Sequence, residues 1–362
     1  MKENLDKILL SKKMLTDKEH KILFLTPDTK GIQRAAIEQI YIHARTLRNA
    51  GYNAIILHEK NDYNMPEWIG EWVKEMPHES IEAKKLKVSP QDFLIIPELF
   101  GNVIAQTKEL PCKRIVFAQS YDYILDMLQP GMGWVRHGIT DYITTSEKQK
   151  EMIETFMLNV KGKITPVGID TTLFKSSATP KKPLIGIHCR DGRDAGKIVK
   201  QFYLKYPFYR WTTFVDLISM SKEDFATQME SLAMVIWVDD ISGFGTLPLE
   251  AMAAKAVVVG KVPNLEPEWL TEQNGIWTYD FNKLPDIIAE VFKHWLEDTI
   301  PDETYVAMEE TVAKYSDLAK IEQTILNVYQ EFFTEREKEF DTTIKNLETK
   351  IKQQEEEING SK

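Results

Sequence analysis

DDISGFGTLPLEAMAAKAVVVG, residues 239–260, is the stretch on which the fold turns. The apolar run 234–238 leads into it and ends on two aspartates. Gly243 and Gly245 then make a tight turn, residues 246–255 have the composition of a helix, and a second apolar run closes at Gly260. Short β-branched runs bounded by turn residues read as buried strands, so the order is strand, turn, helix, strand, the repeating unit of a parallel sheet. The glycines let the backbone turn sharply and leave it bare for close ligand approach. Thr246 can cap the helix, and Pro248 suits its first turn. Free N–H groups at such a helix start attract an anion. Glu250, one turn in, can accept two hydrogen bonds from a ribose diol. Alternatively it only complements the helix dipole, which is worth ~0.3–1 kcal/mol.

The same alternation extends in both directions. Before it, 184–189 and 211–215 read as strands, and 198–206 and 222–232 as helices. Earlier still, 21–26, 53–58, 93–97, 115–118 and 142–145 read as strands. A helix spans 32–49, and Ser146 with Gln149 fits a capping box that opens another. Residues 175–183, KSSATPKKP, have linker composition. The expected organisation is a first domain over 1–174, a linker over 175–183 and a second domain over 184–300. Helices over 301–333 and a polar helical tail over 334–362 follow. Two α/β units of parallel strands covered on both faces imply two doubly wound domains facing a cleft, with ligands at the carboxyl ends of the strands.

The chain has 362 residues, 43% of them hydrophobic, and a formal net charge of −10. That length accommodates two domains, and the charge argues against nucleic acid backbone as the main partner. Cys112 and Cys189 are too few and too far apart for a disulfide framework or a metal cluster, so no metal is expected. The N-terminus has no signal-peptide core, and no apolar run approaches the roughly 20 residues of a membrane span. A cytoplasmic protein without a transmembrane segment is the expectation.

A second loop, CRDGRDAGK at 189–197, places Arg190, Arg193 and Lys197 beside a helix start, where cations are locally unfavourable. A bound diphosphate would resolve the conflict; so would Asp191 and Asp194 in a solvated loop.

The segment from Gly243 to Gly260 resembles the donor-binding signature of family 4 glycosyltransferases, carried by Gly243, Phe244, Gly245, Leu247, Pro248, Glu250, Ala251, Met252 and Ala253. PVGIDTTLF (166–174), IPE (96–98), VFAQ (116–119) and NLEPEW (264–269) resemble further segments of the family, over about residues 20 to 300. The resemblance implies the GT-B architecture of two Rossmann-like domains. It also implies transfer of a sugar from a nucleotide diphosphate sugar to an acceptor, with retention and with neither metal nor other cofactor. By position, Glu250 would hold the ribose, and Arg190 and Lys197 would stabilise the departing diphosphate. Arg193, Ser242, Gly243, Phe244, Gly245, Thr246 and Leu247 would line the donor site. Gly31, Glu98 and Gln119 would border the cleft on the acceptor side.

Three positions depart from the family pattern. Its first glutamate is Ser242 here, and a helix-ending glycine is Lys255, which in a left-handed conformation costs on the order of 1 kcal/mol. Gln119 or Ser120 stands where an acceptor-side histidine is frequent. These departures keep a second reading alive, a non-catalytic binding or assembly protein of the same fold. Trp134, Trp237, Trp269 and Trp277 read as core or cleft wall, and His137 and His188 as structural. In the tail, Phe333, Phe340, Ile344, Leu347, Ile351 and Ile358 fall at three-, four- and seven-residue spacings, a short coiled-coil pattern suited to self-association through 334–362.

Overall fold

The computed structural model of the protein describes residues 1–82, 87–218 and 220–360. The first part of the chain runs α1 (Lys2–Thr16), β1 (Lys21–Leu25), α2 (Ala35–Asn49), β2 (Asn53–His58), β3 (His78–Ser80), β4 (Phe93–Pro97) and α3 (Gly101–Gln106). It continues with β5 (Lys113–Ala118), α4 (Tyr121–Met127), β6 (Asp141–Thr144), α5 (Glu147–Phe156) and β7 (Lys161–Ile164). The second part runs β8 (Lys182–Cys189), α6 (Gly192–Lys205), β9 (Thr213–Asp216), α7 (Lys222–Ser231), β10 (Leu232–Val238) and α8 (Thr246–Ala253). Then follow β11 (Val257–Lys261), β12 (Ile276–Thr278), α9 (Leu284–Leu296), α10 (Asp302–Ala313) and α11 (Leu318–Gly360).

The strands form two sheets, ordered β3-β2-β1-β4-β5-β6-β7 and β12-β11-β10-β8-β9, and every pairing is parallel. β1, β4 and β10 are buried along nearly their whole length, because helices cover both faces of each sheet. Strand order reverses between β1 and β4 in the first sheet and between β8 and β10 in the second. At such switch points the loops splay apart and open a crevice. Half of the capping box forms: the Gln149 amide donates to Ser146 Oγ at 3.2 Å, while the Gln149 side-chain oxygen accepts from Thr145 Oγ1 at 3.3 Å instead of from the Ser146 amide.

The tail packs inward. α11 lies against α1 and α2, and its Tyr329, Phe332, Phe333 and Phe340 join Ile22, Phe24 and Phe93 in one core of the first domain. α1 runs antiparallel to it, with Lys12 on Asp341 at 2.7 Å and Lys2 on Glu355 at 2.9 Å. The heptad-like stripe therefore has a partner within the chain as far as Ile344, which is buried, while Ile358 is exposed. The chain crosses between domains twice. The crossings touch where the Ile169 amide donates to the Tyr315 carbonyl at 2.8 Å, beside Gly168, whose missing side chain makes room for Leu318.

Candidate active site

A cavity of about 460 Å³ lies between the carboxyl edges of the two sheets. From the first domain it is lined by loops after β1, β4 and β5, among them Arg34, Glu98, Gln119 and Ser120. From the second it is lined by His188, Arg190, Asp239, residues 241–247 and Glu250. Val238 pairs with Cys189 in register, so the next residues of the two strands, Asp239 and Arg190, emerge side by side at the switch point. They form a two-pronged ion pair, Nη2 to Oδ2 at 3.0 Å with Nε on Oδ1.

The glycine turn is held from beneath by tryptophans. Trp269 Nε1 donates to the Phe244 carbonyl at 2.7 Å, and Trp237, Trp269 and Trp277 pack against one another. Gly245 has φ +76°, the left-handed region, and a Cβ there would fall 2.8 Å from the Trp237 ring. Gly245 is also the N-cap of α8, where Thr246 had been expected; Thr246 is the first helical residue, and no side chain caps the helix. Its opening amides are left for whatever occupies the cavity. Lys255 does adopt φ 58° at the end of this helix.

Gly243 serves a different contact. A Cβ on it would lie 1.7 Å from the Gln119 carbonyl oxygen of the other domain. The two loops therefore meet backbone to backbone, and Ser120 Oγ donates to the Ile241 carbonyl at 2.8 Å beside them. Further bridges cross the cleft. Lys222 forms an ion pair with Glu38, the Gln33 amide donates to the Met220 carbonyl, and Asn264 donates to Asp122 at 2.8 Å.

Glu250 is buried, and its side chain makes no hydrogen bond among the described residues. Burial raises its pKa to about 7, against the pull of the Lys222 ammonium and with a push from Glu38. Glu98 is buried too, and desolvation lifts it to about 7 although the Ser120 amide donates to its Oε1 at 2.7 Å. Its Oε2 has no partner among the described residues. Gln119 donates to the Ala36 carbonyl at 2.9 Å, which fixes its loop against the start of α2.

Arg193 and Lys197 stand outside the cavity lining, as does Gly31. Arg193 is exposed and folded onto Asp191, the N-cap of α6, while Lys197 reaches back one turn to Asp194 at 2.7 Å. The aspartates of the same loop thus neutralise these two cations. Gly31 sits on the exposed loop after β1 with φ +80°.

The sequence reading passed over Arg34, Glu38 and Lys222 as site residues and gave His188 a structural role. His188 Nδ1 is buried without a partner among the described residues, and burial lowers the His188 pKa. Arg34 had an available signal: it follows a strand and opens a helix, the pattern used for 189–197. Glu38 and Lys222 meet only because the domains do.

No family model and no curated protein matches the sequence. Among solved structures, the chain is similar to sucrose-phosphate synthase from Thermosynechococcus elongatus, with TM-score 0.63, 14% identity and coverage of 87% of this chain and 99% of that one. It is similar to the pneumococcal O-GlcNAc transferase GtfA, solved in complex with UDP and GlcNAc, with TM-score 0.60, 8% identity and coverage of 88% and 99%. Anabaena HepE in complex with UDP-glucose gives TM-score 0.57, 14% identity and coverage of 86% and 99%. At these identities the likeness is one of architecture: the chain has the GT-B fold, two Rossmann-like domains closed over a shared cleft.

Proposed function

We propose that the protein is a glycosyltransferase that moves a sugar from a nucleoside diphosphate sugar to an acceptor hydroxyl or equivalent group, with retention at the anomeric carbon and without a metal. The observation that carries this reading is the composition of the cavity walls. Uncapped α8 amides, Arg190 and Glu250 stand on one side, and Glu98 and Gln119 on the other. Glu250 would take the ribose diol, and the backbone of Gly245, Thr246 and Leu247 would face the sugar and phosphate. Ser242 and Phe244 complete that wall. Breaking the anomeric bond leaves negative charge on the phosphate, where a fixed Arg190 and the helix amides lower the barrier. Lys197 and Arg193 would contribute only by leaving Asp194 and Asp191 for the diphosphate. UDP is the first nucleotide to test, because GtfA and HepE were solved with UDP or UDP-glucose.

The test is release of nucleoside diphosphate from UDP-, GDP-, ADP- and dTDP-sugars in the presence of EDTA, for the wild type and Glu250→Ala. Release by the wild type and its loss in the variant supports the reading; equal release by both removes Glu250 from the site. Product NMR reads the anomeric configuration.

Ser242 in place of the family glutamate, and an Arg190 already neutralised by Asp239, favour a second reading as a binding protein without turnover. It predicts nucleotide binding with no release from any donor. Two unpaired, buried cysteines support work in a reducing compartment. No described helix is long and apolar enough to cross a membrane. Self-association through 334–362 would have to use what α1 leaves uncovered.

A further inference from the structure

Among the described residues, the cations lining the cavity are Arg34, Arg190 and Lys222. Arg190 is held by Asp239 through two nitrogens, and Lys222 by Glu38 with Glu250 nearby. The Arg34 side chain has no hydrogen bond and no ion pair among the described residues, although it is only partly exposed. The carboxylate that favours its charge, Asp239, is already taken by Arg190.

Arg34 also sits where a cation is disfavoured. It occupies the N-cap of α2, whose end carries partial positive charge and has no side-chain cap. Burial and then the neighbouring Arg190 guanidinium both act against its charge. An arginine cannot escape by losing its proton. An anion in the cavity would relieve all of these costs together and would engage the guanidinium in paired, charge-assisted hydrogen bonds.

We infer that Arg34, from the first domain, binds the terminal phosphate of the nucleoside diphosphate. This rests on the donor-site reading above and changes its arrangement. The arginine selected from the sequence, Arg190, is largely an internal partner of Asp239, and the free charge comes from the opposite wall. The nucleoside is then gripped by the second domain and its distal phosphate by the first, so the diphosphate ties the two domains together.

Calorimetry with the full chain tests this, using matched pairs: UDP and UMP, GDP and GMP, ADP and AMP. The wild type should prefer a diphosphate over its monophosphate. Arg34→Ala should lose about tenfold or more in diphosphate affinity, the scale of a charge-assisted contact, with monophosphate affinity nearly unchanged. Arg34→Lys should retain part of the preference. The ligand-free unfolding temperature of Arg34→Ala should stay level or rise, because an uncompensated cation is removed; a merely structural arginine would lower it. If the wild type prefers diphosphates and Arg34→Ala keeps that preference, or weakens both ligands equally, this inference fails and the donor site stands. If the wild type binds none of the nucleotides, both fail.

Discussion

Alanine at position 243 is a small change with a large expected effect. The φ of Gly243 lies outside the left-handed region, so an alanine backbone is tolerated there. The obstacle is the added methyl, which would sit 1.7 Å from the Gln119 carbonyl oxygen, whereas ordinary contact begins near 3.4 Å. Both opposing atoms are fixed by backbone, so no rotamer change relieves the clash. The loops after β5 and β10 must separate by well over an ångström. That breaks the 2.8 Å hydrogen bond from Ser120 to the Ile241 carbonyl. Overpacking costs about 1–3 kcal/mol and the lost hydrogen bond about 0.5–1.5 kcal/mol. A penalty of about 2 kcal/mol on the closed arrangement lowers the affinity of a ligand that spans the cleft by about 30-fold. Calorimetry with UDP reads the affinity, and small-angle scattering reads the separation of the domains. An unchanged dissociation constant with an unchanged scattering profile would refute the argument that this backbone contact sets the closed cleft. Gly245→Ala gives the contrast. Its left-handed φ and its approach to Trp237 lie within one domain, so it should lower the unfolding temperature of that domain directly.

If Glu250 holds the ribose as proposed, nucleotide binding should depend on pH. Its folded pKa of about 7 lies above the ordinary 4.5, so its ionisation detracts from the stability of the empty protein as pH rises through that window, and the loss is complete above it. A ribose diol donates to the ionised carboxylate, so affinity should rise about tenfold between about pH 6 and pH 8. Glu250→Gln should flatten the profile; a wild-type profile that is already flat would remove the carboxylate from the ribose. Phe340→Ala should destabilise the fold by about 3–5 kcal/mol in denaturant titration, because the ring is buried against the first domain. Its mass in solution should match the wild type's; a halved mass would mean that this face instead holds a second copy.

The two sheets were legible because fully buried parallel strands leave uninterrupted apolar runs, as at 93–97 and 234–238. The short edge strands β3, β7 and β12 were missed, since three or four half-exposed residues carry no such run. α1 was also missed, because most of its residues face water. The apolar stripe of α11 was visible, but a heptad pattern states that a partner exists and not which one. In the site, the glycine turn and Glu250 could be placed from local spacing alone. The pairing of Arg190 with Asp239 depends on strand register, 49 residues apart in sequence. The contact of Gly243 with Gln119 and the isolation of Arg34 depend on how two domains meet, which no local pattern encodes.

The return of α11 to the first domain bears on how the protein is made. The first sheet is complete at Ile164, but part of one of its faces, beside α2, stays uncovered until residues 321–340 leave the ribosome. The second domain, spanning β8 to α10, can close its own core before then. The usual N-terminus-first order of folding during synthesis is therefore reversed at the final step. The first domain to be translated is the last to be finished, and a ribosome that stalls after α10 releases a folded second domain beside an open, aggregation-prone sheet.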